Sequence, residues 1–291
     1  FFALKGERAD GHDFLEDAIE AGCAALVVER DDNLPSNTAC TSTAPLIKVK
    51  DTERALQDLA SYYLSLFNLR KIAITGSTGK TTTKEMLFHI LSEKYKTVCN
   101  QGNYNNLIGL PLSVFQVDSS TEAAVFEMGM DRLGEIHRLA EIVRPQVAVI
   151  TNIGISHLEK LESQENILKA KMEICDFMGE NDTLVINGDD PMLSRLQTGG
   201  VYNVFKVGTK ANEELRISNL KDLGDRGIEF HLHSKEKSEK YRIGIPGLHN
   251  SMNAALAVAA GLSVGVDMEQ AASGLAKVAA ADKRLNILQI R

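Results

Sequence analysis

The segment Lys71-Ile72-Ala73-Ile74-Thr75-Gly76-Ser77-Thr78-Gly79-Lys80-Thr81-Thr82-Thr83 constrains this chain more than any other. An apolar run of one strand's length meets a glycine-rich turn, and a helical pattern starts at the lysine. Glycines let backbone N–H groups approach phosphate oxygens, and the N-terminus of the following helix adds partial positive charge. Lys80 is placed to reach the outer phosphates, and the Thr81 hydroxyl can join a Mg²⁺ shell. The strict pattern G-x-x-x-x-G-K-[ST] needs glycine where this chain has Ile74, so the loop is the shorter G-x-x-G-K-T-T. An ordinary strand-to-helix turn is the bland alternative. Strand, loop and helix agree on the other reading, in which residues Gly76, Ser77, Thr78, Gly79, Lys80, Thr81 and Thr82 cradle ATP.

A loop of this kind needs a sheet around it. Apolar strands are expected at Lys71–Thr75, Ala123–Glu127, Val147–Asn152 and Thr183–Asn187, with helices at Lys80–Lys94, Gly134–Val143, Gln164–Met178 and Pro191–Leu196. That alternation predicts an α/β fold with a central, mostly parallel sheet of the phosphate-loop type, covered by helices on both faces. From about 201 to 245 shorter alternating segments, among them Gly227–His233 and Lys240–Ile245, predict appended antiparallel strands. Two alanine-rich helices, Ser251–Val264 and Met268–Ala279, follow. Ahead of the loop, Ala24–Val28 and Leu46–Val49 alternate with helices at Asp13–Ala21 and Asp51–Phe67, the second capped by Asp51. This reads as a small α/β domain over 1–69, with Asn68-Leu69-Arg70 as hinge and a nucleotide domain over 70–284. A strand at Leu285–Ile290 opens what looks like a further domain from 285. Phe1-Phe2-Ala3-Leu4 reads as a strand entered partway, so residues are expected to precede it.

Composition narrows the function. At 291 residues, 44% hydrophobic, the chain is too long for one ordinary core. A formal charge of −7, from 32 Lys+Arg against 39 Asp+Glu, argues against a general nucleic-acid binder. Four cysteines, Cys23, Cys40, Cys99 and Cys175, lie far apart without metal or disulfide spacing, as in a reduced, cytoplasmic protein. No apolar run approaches the ~18 residues of a membrane helix, so no membrane insertion is expected.

A phosphate loop calls for a metal ligand at a neighbouring strand end. Glu127 closes Ala123–Phe126 and precedes Met128-Gly129, which suits that place. His157 follows the strand Val147–Thr151, but a lone histidine is as readily structural. By spacing alone Lys171, in Lys169-Ala170-Lys171-Met172-Glu173, is an ordinary salt-bridging surface lysine. His231 and His233 read as a solvated hairpin edge, and His12, His89 and His137 carry nothing by spacing.

Taken together these segments resemble the ATP-dependent Mur ligases of peptidoglycan synthesis. The loop Thr75–Thr82, Glu127-Met128-Gly129, Thr151-Asn152-Ile153-Gly154 with His157, Ala170-Lys171, and Gly247-Leu248-His249-Asn250-Ser251-Met252-Asn253-Ala254 occur in the family's order. Two further blocks, Gly102-Asn103-Tyr104-Asn105-Asn106-Leu107-Ile108-Gly109-Leu110-Pro111-Leu112 and the opening Phe2–Phe14, resemble the branch that adds D-alanyl-D-alanine to UDP-N-acetylmuramoyl-tripeptide.

The resemblance implies roles. Lys80 contacts the β- and γ-phosphates, and Thr81, Glu127 and His157 surround two Mg²⁺ ions. Lys171 matches a lysine that is carbamylated in most of these ligases, which turns a cation into an anionic metal-side ligand. Lys80, His157 and Lys171 are thus the implied catalytic set. Asn250, with Asn253 nearby, matches an adenine contact, and Arg284 an arginine near the phosphates. Asn103, Asn105 and Asn106 fall on the peptide side of the substrate, and Lys5, Gly6, Asp10 and His12 in the domain that holds its UDP end. Asn187-Gly188-Asp189-Asp190 reads as a strand end that caps the next helix. The implied reaction phosphorylates the tripeptide carboxylate and lets the dipeptide amine displace phosphate. A monomer is expected, and both ends of the family's chain are expected to be missing. The open alternatives are a sibling ligase, adding diaminopimelate or lysine or resembling folylpolyglutamate synthase, and a non-catalytic nucleotide-binding protein. The Asn105-Asn106-x-Ile108-Gly109-x-Pro111 block speaks against the siblings, and Glu127, His157 and Lys171 together against the non-catalytic one.

Overall fold

The computed structural model describes residues 1–30, 44–155, 161–197, 199–210, 212–235 and 237–278. His157, Arg284, Cys40 and the strand expected at Leu285–Ile290 lie outside them. The chain divides into two compact units, Phe1–Tyr63 and a second from Leu64 onward. That division falls just ahead of Asn68-Leu69-Arg70.

In the first unit, a short 3-10 turn at Gly11–Phe14 leads into helix α1, Leu15–Glu20. Strands β1, Leu26–Val28, and β2, Leu46–Lys48, pair in parallel from Leu26 opposite Leu46 to Val28 opposite Lys48. Phe2 adds a parallel bridge to Val27. Ala3, Leu15, Ala18, Leu26 and Val28 form the apolar centre. Helix α2, Thr52–Ser65, starts where Asp51 accepts the Arg54 N–H at 2.8 Å, the cap expected from the sequence.

The second unit is built on nine strands. They are β3, Arg70–Thr75; β4, Thr97–Cys99; β5, Ala123–Glu127; β6, Val147–Ile150; β7, Thr183–Asn187; β8, Asn203–Gly208; β9, Leu215–Asp222; β10, Ile228–His233; and β11, Ser238–Ile243. Their order across the sheet is β11-β10-β9-β8-β7-β6-β3-β5-β4. Pairing is parallel from β4 to β9 and antiparallel for β9–β10 and β10–β11. The appended antiparallel strands expected after 201 are therefore β10 and β11, whereas β8 and β9 continue the parallel set. Only Val207–Leu215 and Gly208–Arg216 pair there, so β9 begins where β8 ends. A short sidestep suffices, and the long crossover that parallel neighbours usually need is avoided.

Helix α3, Lys80–Leu91, connects β3 to β4, and α5, Glu135–Val143, connects β5 to β6. The two crossovers step in opposite directions across the sheet, so right-handed connections place α3 and α5 on opposite faces. Helix α6, Gln164–Met172, steps the same way as α5 and packs against it. Helices α7, Asn250–Ser263, and α8, Met268–Ala276, pack against α3. Ala254 to Ala260 of α7 are fully buried, as suits an apolar helix closed in on all sides. Between β4 and β5 runs α4, Gly109–Val114. The helix expected over Pro191–Leu196 is a single 3-10 turn, Leu193–Arg195, and the one expected to reach Met178 gives way to a 3-10 turn at Glu173–Cys175. Because strand order reverses at β3, the carboxyl ends of β3, β5 and β6 border the crevice where ligands of such sheets bind.

Candidate nucleotide and metal site

The loop after β3 folds as its glycines require. Gly79, with φ 79°, turns the chain into α3 in a conformation side chains avoid. A Cβ there would lie 2.4 Å from Asn253 Oδ1, and one on Gly76 would lie 1.8 Å from Thr151 Oγ1. Both positions therefore exclude any side chain. The first helical hydrogen bond runs from Thr83 N to Gly79 O at 2.9 Å, which leaves the N–H groups of Lys80, Thr81 and Thr82 without helical acceptors. Lys80 Nζ folds back to donate to Gly76 O at 2.9 Å.

Asn152 clasps this loop. Its carbonyl accepts from Ser77 N at 3.1 Å, its Oδ1 from Thr78 N at 3.0 Å, and its Nδ2 donates to Thr78 Oγ1 at 2.9 Å. Thr151 adds a 2.6 Å bond to Thr78 O, and Ser77 Oγ accepts from Gly154 N at 2.8 Å. The N–H groups of Ser77 and Thr78 are thus committed to Asn152. The N–H groups of the helix turn are open to a phosphate. Asn152 belongs to a recognised block, but nothing in sequence spacing marked it as the loop's clasp.

Glu127 ends β5 opposite Ile74 and is 2% exposed. Asn105 Nδ2 donates to its Oε1 at 2.8 Å, while Oε2 is buried without a partner among the described residues. An orphaned carboxylate oxygen is costly in a dry site. That vacancy of partners fits a cation, so the residues present suit a bound divalent metal. Asn105 thus faces the carboxylate through its side-chain N–H. Asn106 is held at the other end of the loop. Its Oδ1 accepts from Ile108 N at 3.2 Å and Gly109 N at 2.7 Å and so starts α4. Asn103 is exposed.

Lys171 is not a surface residue. It is 2% exposed on α6, and no carboxylate among the described residues pairs with it. Glu173 instead accepts from Gly134 N and His137 N. Burial, and then the Lys80 charge, push the Lys171 pKa down to about 7. Burial lowers that of Lys80 too, against an opposing pull from Glu127. Asn250 and Asn253 form a buried pair, Nδ2 of Asn253 donating to Oδ1 of Asn250 at 3.1 Å. Asn250 Nδ2 reaches Pro246 O at 2.8 Å. Asp190 accepts from Met192 N and Leu193 N, the cap expected of its segment, and also from Ile153 N.

In the first unit, Lys5 and Gly6 sit on an exposed hairpin closed by the Lys5–Asp10 bridge. His12 is 3% exposed, with Nδ1 donating to Asp10 Oδ1 at 2.7 Å and Nε2 accepting from Glu29 N at 3.0 Å. Both ring nitrogens are engaged within the protein, so His12 ties the hairpin to the chain after β1. Asp10 also receives Arg30 at 2.9 Å, and the hydrogen bonds from His12 hold its carboxyl below the usual range. Among the described residues no helix is long and apolar enough to cross a membrane.

Comparison with known proteins agrees with this geometry. Residues 74–261 match the Mur ligase middle domain, and residues 1–64 match the Mur ligase family, catalytic domain. The UDP-N-acetylmuramoyl-tripeptide--D-alanyl-D-alanine ligase of Bacillus subtilis is 41% identical over 290 residues, 99% of this chain and 61% of that protein. The crystal structure of MurF from Acinetobacter baumannii superposes with a TM-score of 0.90 at 33% identity, over 100% of this chain and 62% of that one. That of MurF ligase from Thermotoga maritima in complex with ADP gives 0.79 at 30% identity, over 94% and 62%. The chain thus spans about three fifths of the length of these relatives. With two family models matching most of its length and a relative 41% identical over 99% of it, the chain belongs to the Mur ligase family.

Proposed function

We propose that this protein is an ATP-dependent amide ligase that joins D-alanyl-D-alanine to UDP-N-acetylmuramoyl-tripeptide, acting as a cytoplasmic monomer. The observation that carries the reading is a phosphate loop that places Lys80 at the start of α3 with a second lysine, Lys171, buried on α6 where the Lys80 charge reaches it. A structural ion-pair network would match each lysine with a carboxylate. Here Lys171 has no carboxylate partner among the described residues and Lys80 feels Glu127 only at a distance while bonding a loop carbonyl, as suits a site that receives anions. The names of the Bacillus subtilis and Acinetobacter baumannii relatives support the substrate assignment, and the ADP complex of the Thermotoga maritima relative supports the nucleotide.

In this reading Lys80 and the N–H groups of the α3 first turn hold the β- and γ-phosphates. Asn250 and Asn253 lie on the adenine side, and Arg284 near the phosphates. Thr81, Glu127, His157 and a carbamylated Lys171 would hold two Mg²⁺ ions, which supply charge neutralisation between the two anions that must meet. Lys171 suits carbamylation because burial brings its pKa down to about 7, so a large share of its amine is unprotonated at neutral pH. The nitrogen lone pair adds to CO₂, one proton is released, and a site that would hold an ammonium holds an anion. Residues 1–69 would hold the UDP end of the substrate and 70–284 the nucleotide.

The tripeptide carboxylate takes the γ-phosphoryl group of ATP, giving ADP and an acyl phosphate. The dipeptide amine then attacks the carbonyl carbon, and the tetrahedral intermediate expels phosphate and a proton. Lys80 stabilises the charge that builds on the transferring group. Phosphate release by the full-length protein, with the UDP-tripeptide and the dipeptide omitted in turn, tests the proposal. Release that needs both substrates is expected. Release indifferent to the dipeptide would refute the ligation.

A further inference from the structure

The carboxyl end of β4 carries a buried side chain that neither the phosphate chemistry nor the peptide loop accounts for. Asn100 is fully buried one residue beyond β4. Its Oδ1 accepts from Glu127 N at 2.8 Å, and its Nδ2 donates to Glu127 O at 3.0 Å and to Tyr104 O at 2.8 Å. The β4–β5 ladder ends with Cys99 opposite Val125. Beyond that point the amide of Asn100 replaces a main-chain partner and pairs both backbone groups of Glu127. The main chain is thereby released to form the loop from Gln101 to Ile108.

A second buried group secures Asn100 from behind. Lys84 is fully buried on α3, one turn after Lys80, and its Nζ donates to Asn100 O at 2.6 Å and pairs with Glu85 Oε1 at 3.1 Å. The loop returns to the same carboxylate through Asn105, whose Nδ2 holds Glu127 Oε1 and whose carbonyl accepts from Gly129 N at 2.8 Å. One residue therefore joins three parts: its side-chain amide holds the metal-side acid through the Glu127 backbone and the asparagine-rich loop through Tyr104, and its main-chain carbonyl meets the phosphate-loop helix through Lys84.

We infer that Asn100 is a positioning residue that fixes the Glu127 carboxylate and the 101–108 loop as one unit, so that metal affinity and use of the peptide substrate depend on it together. Only an amide fits. One acceptor and two donors are used, whereas aspartate would set a carboxylate against the carbonyls of Glu127 and Tyr104, and alanine would leave all three groups unpaired. The inference rests on the Mg²⁺–nucleotide reading of the site.

The test measures Mg²⁺ affinity in the presence of ADP by titration calorimetry, and KM for the UDP-tripeptide, on full-length wild type, Asn100→Ala and Asn100→Asp. Tyr241→Phe, which loses a buried 3.1 Å bond to Met268 O away from the site, serves as the control for lost stability alone. Asn100→Ala and Asn100→Asp are expected to weaken Mg²⁺ binding by about 10-fold or more. They should raise the substrate KM in parallel, while ADP binding without metal stays near wild type. Tyr241→Phe should lower the unfolding midpoint and leave both constants unchanged. If Asn100→Ala does not fold, Asn100→Asp and Lys84→Met carry the same expectation. Folded variants with wild-type Mg²⁺ affinity and KM would overturn the role of Asn100. A wild-type protein that binds no Mg²⁺ with ADP would instead overturn the reading of the site itself.

Discussion

Asn105 donates its side-chain N–H to one oxygen of Glu127 across 2.8 Å, and the other oxygen of that carboxylate is left buried and unpartnered among the described residues. One contact orients the carboxylate, and in the proposed reading its other oxygen is the one that would receive a cation. Outer-sphere partners of this kind are worth about 10- to 100-fold in metal affinity. Asn105→Ala should therefore raise the Mg²⁺ concentration for half-maximal phosphate release by roughly 10-fold. A Mg²⁺ titration of turnover checks this, and an unchanged midpoint would return Asn105 to direct substrate contact.

Lys80→Ala should abolish turnover without unfolding the protein. Its ammonium bonds a loop carbonyl, not a core group, and the cost falls on the charge that builds during phosphoryl transfer. Losing one such stabilising group lowers kcat by about 10²–10³. Phosphate release and a thermal melt on the same preparation separate the two effects. Near-normal release from a folded variant would remove Lys80 from the chemistry.

Lys171 links the site to pH. An unfolded lysine keeps its proton to about 10.5, whereas Lys171 releases it near 7. Between those values the unfolded chain binds the extra proton, so the stability of the unmodified, metal-free protein should rise with pH across that window. Below about 7 Lys171 is an ammonium and cannot add CO₂. Carbamate seen by ¹³C NMR with labelled bicarbonate should fade as pH drops through that value. Lys171→Ala should be nearly inactive and partly restored by short carboxylates that fill the vacated space. A carbamate signal of equal size in Lys171→Ala would place the modification elsewhere.

Asn106 makes a stability prediction distinct from its expected substrate role. Its Oδ1 caps the entry to α4, so Asn106→Ala should cost about 1 kcal/mol, while Asn106→Asp keeps an acceptor and should cost less. Denaturant unfolding of the three proteins decides this. If Asn106 also meets the peptide, both variants raise the UDP-tripeptide KM whatever their stability.

Much of the frame was legible because it rests on local pattern. Ala123–Glu127 and Thr183–Asn187 are strands over the expected residues, and α3 starts at Lys80, because continuous apolar runs bounded by turns admit little else. Helix α4 was not legible. Six residues opening Gly-Leu-Pro are too few to show a helical period, yet Pro111 lies in the first helical turn, where no N–H is needed. β4, three residues long, offers too few positions for a period. β8 and β9 alternate weakly, and the second half of β9 is exposed. In the site, the loop and Glu127 were readable from motif order. The burial of Lys171 was not, since its helical neighbours Lys169 and Glu173 give it a surface context. The Asn105–Glu127 and Asn100–Glu127 contacts join residues 22 and 27 positions apart, which only the β4–β5 register brings together.

The most direct measurement follows oxygen. UDP-tripeptide carrying ¹⁸O in its terminal carboxylate is turned over by the full-length protein with ATP and D-alanyl-D-alanine, and the released phosphate is analysed by mass. Transfer of the γ-phosphoryl group to that carboxylate should leave one labelled oxygen in each phosphate. Phosphate released without label would mean that water, not the carboxylate, receives the phosphoryl group, and would contradict an acyl-phosphate ligase at Lys80 and Glu127.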